Sequence, residues 1–268
     1  MPMANVYRAL LGVLLVLVTS VAAPAASLQF IVFADTLDPT IGTIQDLSRA
    51  TAWARTIESY TGLELKLQTL SGSNLTPANA RRMLQALSPA ADDVVYFTYT
   101  GHGANPGNSQ WPVFTFMFDS SDSYLTFDEV ASTLQPKPQR MLIVLADCCN
   151  VPLSMPERLI PAFEPSGQSA LTTANFQRLF LNFRGTILAT AADVGQYSLG
   201  DASEGGLFLN TFMEDFRTLA DTTPDLTWDT ILTRTATDAR DIAAYYVSTG
   251  ALGHIEPQEA QFTINTEQ

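Results

Sequence analysis

"YFTYTGHGANPG" (96–107) begins as a strand that is apolar on both faces and stops on a histidine held between two glycines. "MLIVLADCCN" (141–150) has the same build, and its end carries both cysteines of the chain. Strands that are apolar on both faces belong to the middle of a parallel sheet covered on two sides. In such open sheets, active sites gather at the carboxyl ends of the strands. His102 stands just past the first strand and Cys149 just past the second, so neighbouring strands would bring an imidazole and a thiol to one edge. A thiolate attacks and an imidazole manages its proton, while glycine beside the histidine bares a backbone N–H to a developing oxyanion. Each residue alone has a plainer reading: a lone cysteine is most often a small core hydrophobe. The paired placement at two successive strand ends is what points to chemistry.

Outward from these two stretches, strands and helices alternate. "LQFIVFADT" (28–36) reads as a buried strand, and "GTIQDLSRATAWARTIESYTG" (42–62) as a helix with Leu47, Ala50, Trp53, Ala54, Ile57 and Tyr60 on one face and a Gly62 stop. "LELKLQTL" (63–70) alternates strictly, as a half-exposed strand near a sheet edge does. Thr76-Pro77 starts a helix to about Leu87, "WPVFTFMF" (111–118) suits a short hairpin, and "TFDE" (126–129) has capping-box spacing. A long loop over 151–170 precedes a helix at 172–185, a strand at 186–192, helices at 205–219 and 227–246 and a last strand at 260–265. The order predicts an α/β fold with a mostly parallel sheet covered on both faces.

The chain has 268 residues and a formal net charge of −13, which disfavours nucleic acid and anionic membranes as partners. Adjacent Cys148 and Cys149 cannot form an unstrained disulfide, because consecutive α-carbons lie ~3.8 Å apart against the usual ~4.4–6.8 Å. They read as thiols, with a strained vicinal disulfide as the oxidised alternative. With two histidines and no Cys-x-x-Cys or His-Glu-x-x-His spacing, no zinc site is expected. The apolar run "ALLGVLLVLVTSVAA" (9–23) followed by "APA" (23–25) reads as a signal peptide over 1–25, which would send the mature domain, 28–268, out of the cytoplasm as a secreted or periplasmic protein. The alternative is an uncleaved N-terminal anchor.

The two central motifs resemble those of the caspase/metacaspase group of cysteine peptidases, with their strand–Ser-Gly-His-Gly and strand–Asp-x-Cys signatures. "GTIQDLSRA" and "EGGLFLNTF" are similar to flanking segments of that group, and the likeness spans 28–268. It implies a three-layer αβα sandwich and a cysteine endopeptidase of metacaspase type acting on peptide or protein substrates. Cys149 would be the nucleophile and His102 its partner. The N–H groups of Gly103 and Cys149 would form the oxyanion hole, and Cys148 would point into strand packing. Asp46 and Asp147 fall where metacaspase-like members hold acidic residues for the side chain before the cut, which implies Arg or Lys there. The arginine that Asp-cutting caspases carry near this point has no counterpart around Thr40. Asp46 also has a plainer reading as a first-turn charge favoured by the helix dipole. No cofactor is required. Calcium is a secondary expectation, since Asp119, Asp122, Asp128 and Glu129 crowd one loop, although an acidic surface loop explains them equally. Arg158 in the long loop offers a self-cleavage site, and His254 reads as structural.

Two departures stand out. Thr100 replaces the serine before Gly-His-Gly, and Asn150-Val151-Pro152 replaces the His-Ser-Gly usual after the nucleophile. The second leaves an alternative open: a catalytically inactive caspase fold that binds or regulates.

Overall fold

A computed structural model describes residues 25–107, 109–116, 124–151, 169–249 and 256–267. The signal-peptide run, Asp119, Asp122, Pro152, Arg158 and His254 lie outside the described residues, Ala25 excepted. From the amino end, β1 (Ser27–Ala34) leads to α1 (Thr43–Thr61), β2 (Glu64–Ser71), α2 (Pro77–Ala86) and β3 (Val94–Thr100). β4 (Gly103–Ala104), β5 (Val113–Thr115) and β6 (Tyr124–Thr126) form a small antiparallel sheet. α3 (Phe127–Leu134) returns to β7 (Met141–Asp147), and α4 (Ala170–Gln177), prolonged by a π-helical turn over Arg178–Asn182, returns to β8 (Gly185–Thr190). β9 (Gly200–Asp201) and β10 (Gly205–Gly206) make a short hairpin before α5 (Leu207–Thr222), α6 (Trp228–Ser248) and β11 (Gln261–Thr266).

The main sheet runs β11-β8-β7-β3-β1-β2. Its neighbours are parallel except β11, which is antiparallel to β8. The strand pattern explains the layers. β1, β3 and β7 are buried at every position, so successive side chains feed two separate cores. Phe30, Val32, Tyr96, Ile143 and Leu145 pack with α1, α4, α5 and α6. Ile31, Phe33, Phe97, Tyr99 and Val144 pack with α2, α3 and the small sheet. This is the expected three-layer arrangement. β2, read as an edge strand from its alternation, is an edge.

Local signals act much as their chemistry predicts. Thr76 Oγ1 accepts from Asn79 N (3.2 Å), with Pro77 opening α2. Only half of the capping box forms at α3. Thr126 Oγ1 accepts from Glu129 N (2.8 Å), but the Glu129 carboxylate turns away to a bidentate ion pair with Arg81 at 2.6 and 2.9 Å. The helix read at 205–219 begins at Leu207, because Gly205 and Gly206 are drawn into the β9–β10 hairpin. The helix read at 172–185 ends at Asn182, and Gly185 already belongs to β8.

The helix-side core is dominated by aromatic rings. Phe216 touches Trp53, Phe176, Phe180, Phe212 and Trp228, with ring centroids between 4.8 and 6.0 Å. It therefore joins α1, α4, α5 and α6. Phe216→Ala is expected to lower unfolding free energy by about 3–5 kcal/mol, read by urea denaturation with circular dichroism. A loss under 1 kcal/mol would show that the ring cluster is not the joint described.

Candidate active site

The site begins with one register. β3 and β7 are hydrogen-bonded neighbours with Thr100 opposite Asp147. The pairing runs one step further, since Gly101 N donates to Asp147 O at 3.2 Å. His102 and Cys149 each lie two residues beyond that matched pair, so both leave the sheet at the same carboxyl edge. Gly103 then lies on the cysteine segment. A Cβ there would come within 2.7 Å of Cys148 Cβ and Sγ and would collide with the Cys149 carbonyl. Only glycine permits so close an approach. The backbone of His102 is pinned as well. Its carbonyl accepts from Tyr99 Oη (2.6 Å) and from Thr115 N (3.1 Å).

The two cysteines face different surroundings, as strand periodicity predicts. Cys148 is buried in the core between the sheet and α2 and α3, and burial pushes its thiol far above the ordinary range. Cys149 is half-buried, with Sγ 3.7 Å from the Ser198 carbonyl. Both sulfurs are free thiols.

Cys149, Asp46, Asp147, Thr100 and Ser198 line one open cleft of about 330 Å³, counted to its mouth. Asp46 does lie in the first turn of α1. It is buried, and its carboxylate accepts from Thr100 Oγ1 (2.5 Å) and Gly206 N (3.0 Å to each oxygen). Thr100 thus keeps the hydroxyl of the serine it replaces. Asp147 accepts from Ser198 Oγ (2.5 Å) and from Leu209 N (2.8 Å). Gly206 has no side chain to cap α5, so the Asp147 carboxylate caps it from β7. Burial and the charge of Asp147 raise the Asp46 pKa to about 7, against the opposing pull of Thr100, Gly206 and Arg49. Burial raises that of Asp147 to about 6, against hydrogen bonds from Ser198, Leu209 and Phe208. Arg49 is itself held by Glu204 (2.6 Å) and Asn210 (3.0 Å).

Asn150, the first residue of the altered segment, is fully buried behind Cys149. Its Nδ2 donates to the carbonyls of Gln110 and Ala192, both at 3.1 Å, and its Oδ1 accepts from Asn105 Nδ2 at 2.7 Å. Its backbone N–H donates to Gln196 O (3.0 Å) and its carbonyl accepts from Gly195 N (2.8 Å). One amide thus ties the loop after β7 to the β4–β5 loop and to the loop after β8. Ser198, Asn105 and this use of Asn150 were missed in the sequence, where single polar loop residues carry no periodic signal.

Of the four acidic residues behind the calcium expectation, Asp119 and Asp122 lie outside the described residues. Glu129 is engaged by Arg81, and among the described residues no group of three or more His, Cys, Asp or Glu side chains could hold a metal ion. Among the same residues, no helix is long and apolar enough to cross a membrane.

A parallel sheet in this order, with helices on both faces and a free thiol at its carboxyl edge, defines the class of three-layer αβα proteins with a strand-end cysteine. A model of the caspase domain (peptidase C14) matches residues 32–244, and the chain belongs to that family of cysteine peptidases, whose members act on proteins. The structure is similar to the crystal structure of caspase-1 from Spodoptera frugiperda, with a TM-score of 0.53 and 16% identity over 89% of this chain and 86% of that one. No curated protein matches the sequence.

The two carboxyls have a consequence for stability. Each holds its proton more tightly folded than unfolded, so its contribution is fully present below about pH 4 and is lost as pH rises through about 6 to 7. Asp46→Asn should therefore be more stable than the wild type at pH 8, by on the order of 2–4 kcal/mol, and little different at pH 4. Thermal melts at the two pH values read this, and an equal effect at both would refute it. Asn150→Ala removes the partner of the buried Ala192 carbonyl, of the half-buried Gln110 carbonyl and of one N–H of Asn105, and should cost about 2–4 kcal/mol at any pH, measured by denaturant titration.

Proposed function

We propose that the protein is an exported endopeptidase that cuts after Arg or Lys through a Cys149–His102 dyad. The observation that carries this reading is that Cys149 shares one cleft with two buried carboxyls, Asp46 and Asp147. A guanidinium or ammonium entering that cleft would meet both, and its charge would draw off the protons that burial favours. Neutral or acidic side chains gain nothing there. Export rests on the apolar run at 9–23.

In the reaction, the Cys149 sulfur bonds to the scissile carbonyl carbon as its proton passes to His102. The oxyanion faces the N–H groups of Gly103 and Cys149. Collapse breaks the C–N bond, and His102 returns the proton to the departing amine. Water then loses a proton to His102 and attacks the thioester. The sulfur leaves and takes that proton back. The buried Cys148 takes no part, since its thiolate is disfavoured. The Asn150 network explains why His-Ser-Gly can be replaced without dismantling the loop under Cys149.

A peptide library varied at the residue before the cut should show cleavage after Arg and Lys only, abolished by Cys149→Ala. Asp46→Asn should lower kcat/KM for an Arg peptide on the order of 100-fold, since a buried charged hydrogen bond is lost. An Arg-ended fluoromethyl ketone should label Cys149. A folded protein that neither cleaves nor labels would be the binding module instead, and cleavage after Asp would remove the pocket assignment.

A further inference from the structure

Asp38 lies in the loop between β1 and α1, outside the motifs that single out His102 and Cys149. Its Oδ2 stands 3.2 Å from His102 Nε2. Its Oδ1 accepts from Thr40 N at 2.8 Å and from Thr40 Oγ1 at 2.5 Å, so the carboxylate is held in one orientation as the cap of the Pro39–Ile41 turn. The two side chains are 20% and 27% exposed, which shelters the contact without sealing it. Burial pulls the Asp38 carboxyl upward, but the Thr40 bonds and His102 outweigh it and hold it below the usual range. Asp38 is thus an anion at neutral pH, and an ionised carboxylate only accepts hydrogen bonds.

We propose that Asp38 is the positioning residue of the reaction: it fixes the His102 proton on Nε2 and so presents Nδ1 as the nitrogen that exchanges a proton with Cys149. The partner at one ring nitrogen sets the tautomer at the other. When Nδ1 takes the thiol proton, the ring becomes a cation, and Asp38 stabilises it across the 3.2 Å contact. When Nδ1 gives that proton to the leaving amine, the starting tautomer is restored. The anchored His102 carbonyl holds the backbone and Asp38 holds the ring, so the imidazole is fixed at both ends. This inference rests on the reading of His102 as the acid–base group.

Asp38→Asn tests it with little risk to folding. The asparagine carbonyl can still cap Thr40, while its amide N–H now points at Nε2 and drives the ring proton to Nδ1. The expected result is a fall in kcat of at least about tenfold with KM within about twofold. Long-range 1H–15N correlation spectra should show His102 passing from the Nε2–H to the Nδ1–H tautomer. The chain has only two histidines, and His254→Ala assigns the signals. The same spectra in the Cys149→Ala background read the ring without any activity. Asp38→Ala should leave a mixture of tautomers and a smaller loss of kcat. The proposal is overturned if Asp38→Asn retains wild-type kcat while His102→Ala is inactive, or if His102 keeps its Nε2–H. If the wild type neither cleaves nor labels, the peptidase reading fails, and the tautomer measurement alone then decides the arrangement at Asp38.

Discussion

Everything at the carboxyl edge depends on the parallel pairing of β3 with β7, with Thr100 set against Asp147. Side chains alternate across a sheet, so a slip of one residue would send half of each strand to the wrong core. Two distinct cores, one aromatic and facing α1, α4, α5 and α6, the other facing α2, α3 and the small sheet, forbid that slip. Among the described residues, the register is therefore held by 28 buried side chains on one face and 22 on the other, not by the residues at the site. Its result is that the His102 and Cys149 segments leave the sheet together, close enough that Gly103 must lack a side chain.

The two carboxyls of the cleft cost stability. A carboxylate in a low-dielectric setting is expensive unless paired or hydrogen-bonded. Here each carboxyl is surrounded by donors: a hydroxyl and a glycine amide for Asp46, a hydroxyl and the first-turn amides of α5 for Asp147. Those donors lower the penalty but do not cancel it, which is why both proton affinities stay high. Binding sites commonly carry such strain, and the surrounding core offsets it. The glycines of β10 are part of the same arrangement. A Cβ at Gly205 would strike Asp46, and one at Gly206 would strike Asp147.

Asn150 shows how a departure from a family pattern is absorbed. A small amide with two donors and two acceptor lone pairs replaces whatever contacts an imidazole would make there. Here two of those groups meet the loop between β4 and β5, at Asn105 and Gln110, and one meets Ala192 beyond β8. The loop beneath Cys149 is thereby tied to both flanking loops. Gln258, just before β11, continues the pattern: its Oε1 accepts from Leu199 N (2.7 Å) and its Nε2 donates to Ala191 O (3.2 Å), bracing the segment that carries Ser198.

The amino-acid sequence determined the strand and helix order, the central place of β3 and β7, the edge place of β2, and the meeting of the His102 and Cys149 segments at one edge. These follow from hydrophobic period and from glycine, proline and capping residues, which act over a few positions and can be read locally. It also singled out Asp46 and Asp147, though only through resemblance, since their burial leaves no mark in the chain. Only the tertiary structure decided that Glu129 serves Arg81 rather than its own helix, that Gly205 and Gly206 belong to a hairpin, and that Asn150 is a buried tie. It alone put Asp38 against His102, 64 residues apart. Such contacts join single polar side chains on separate loops, and nothing in a local pattern records which loop lies opposite until the packed sheet sets the distance.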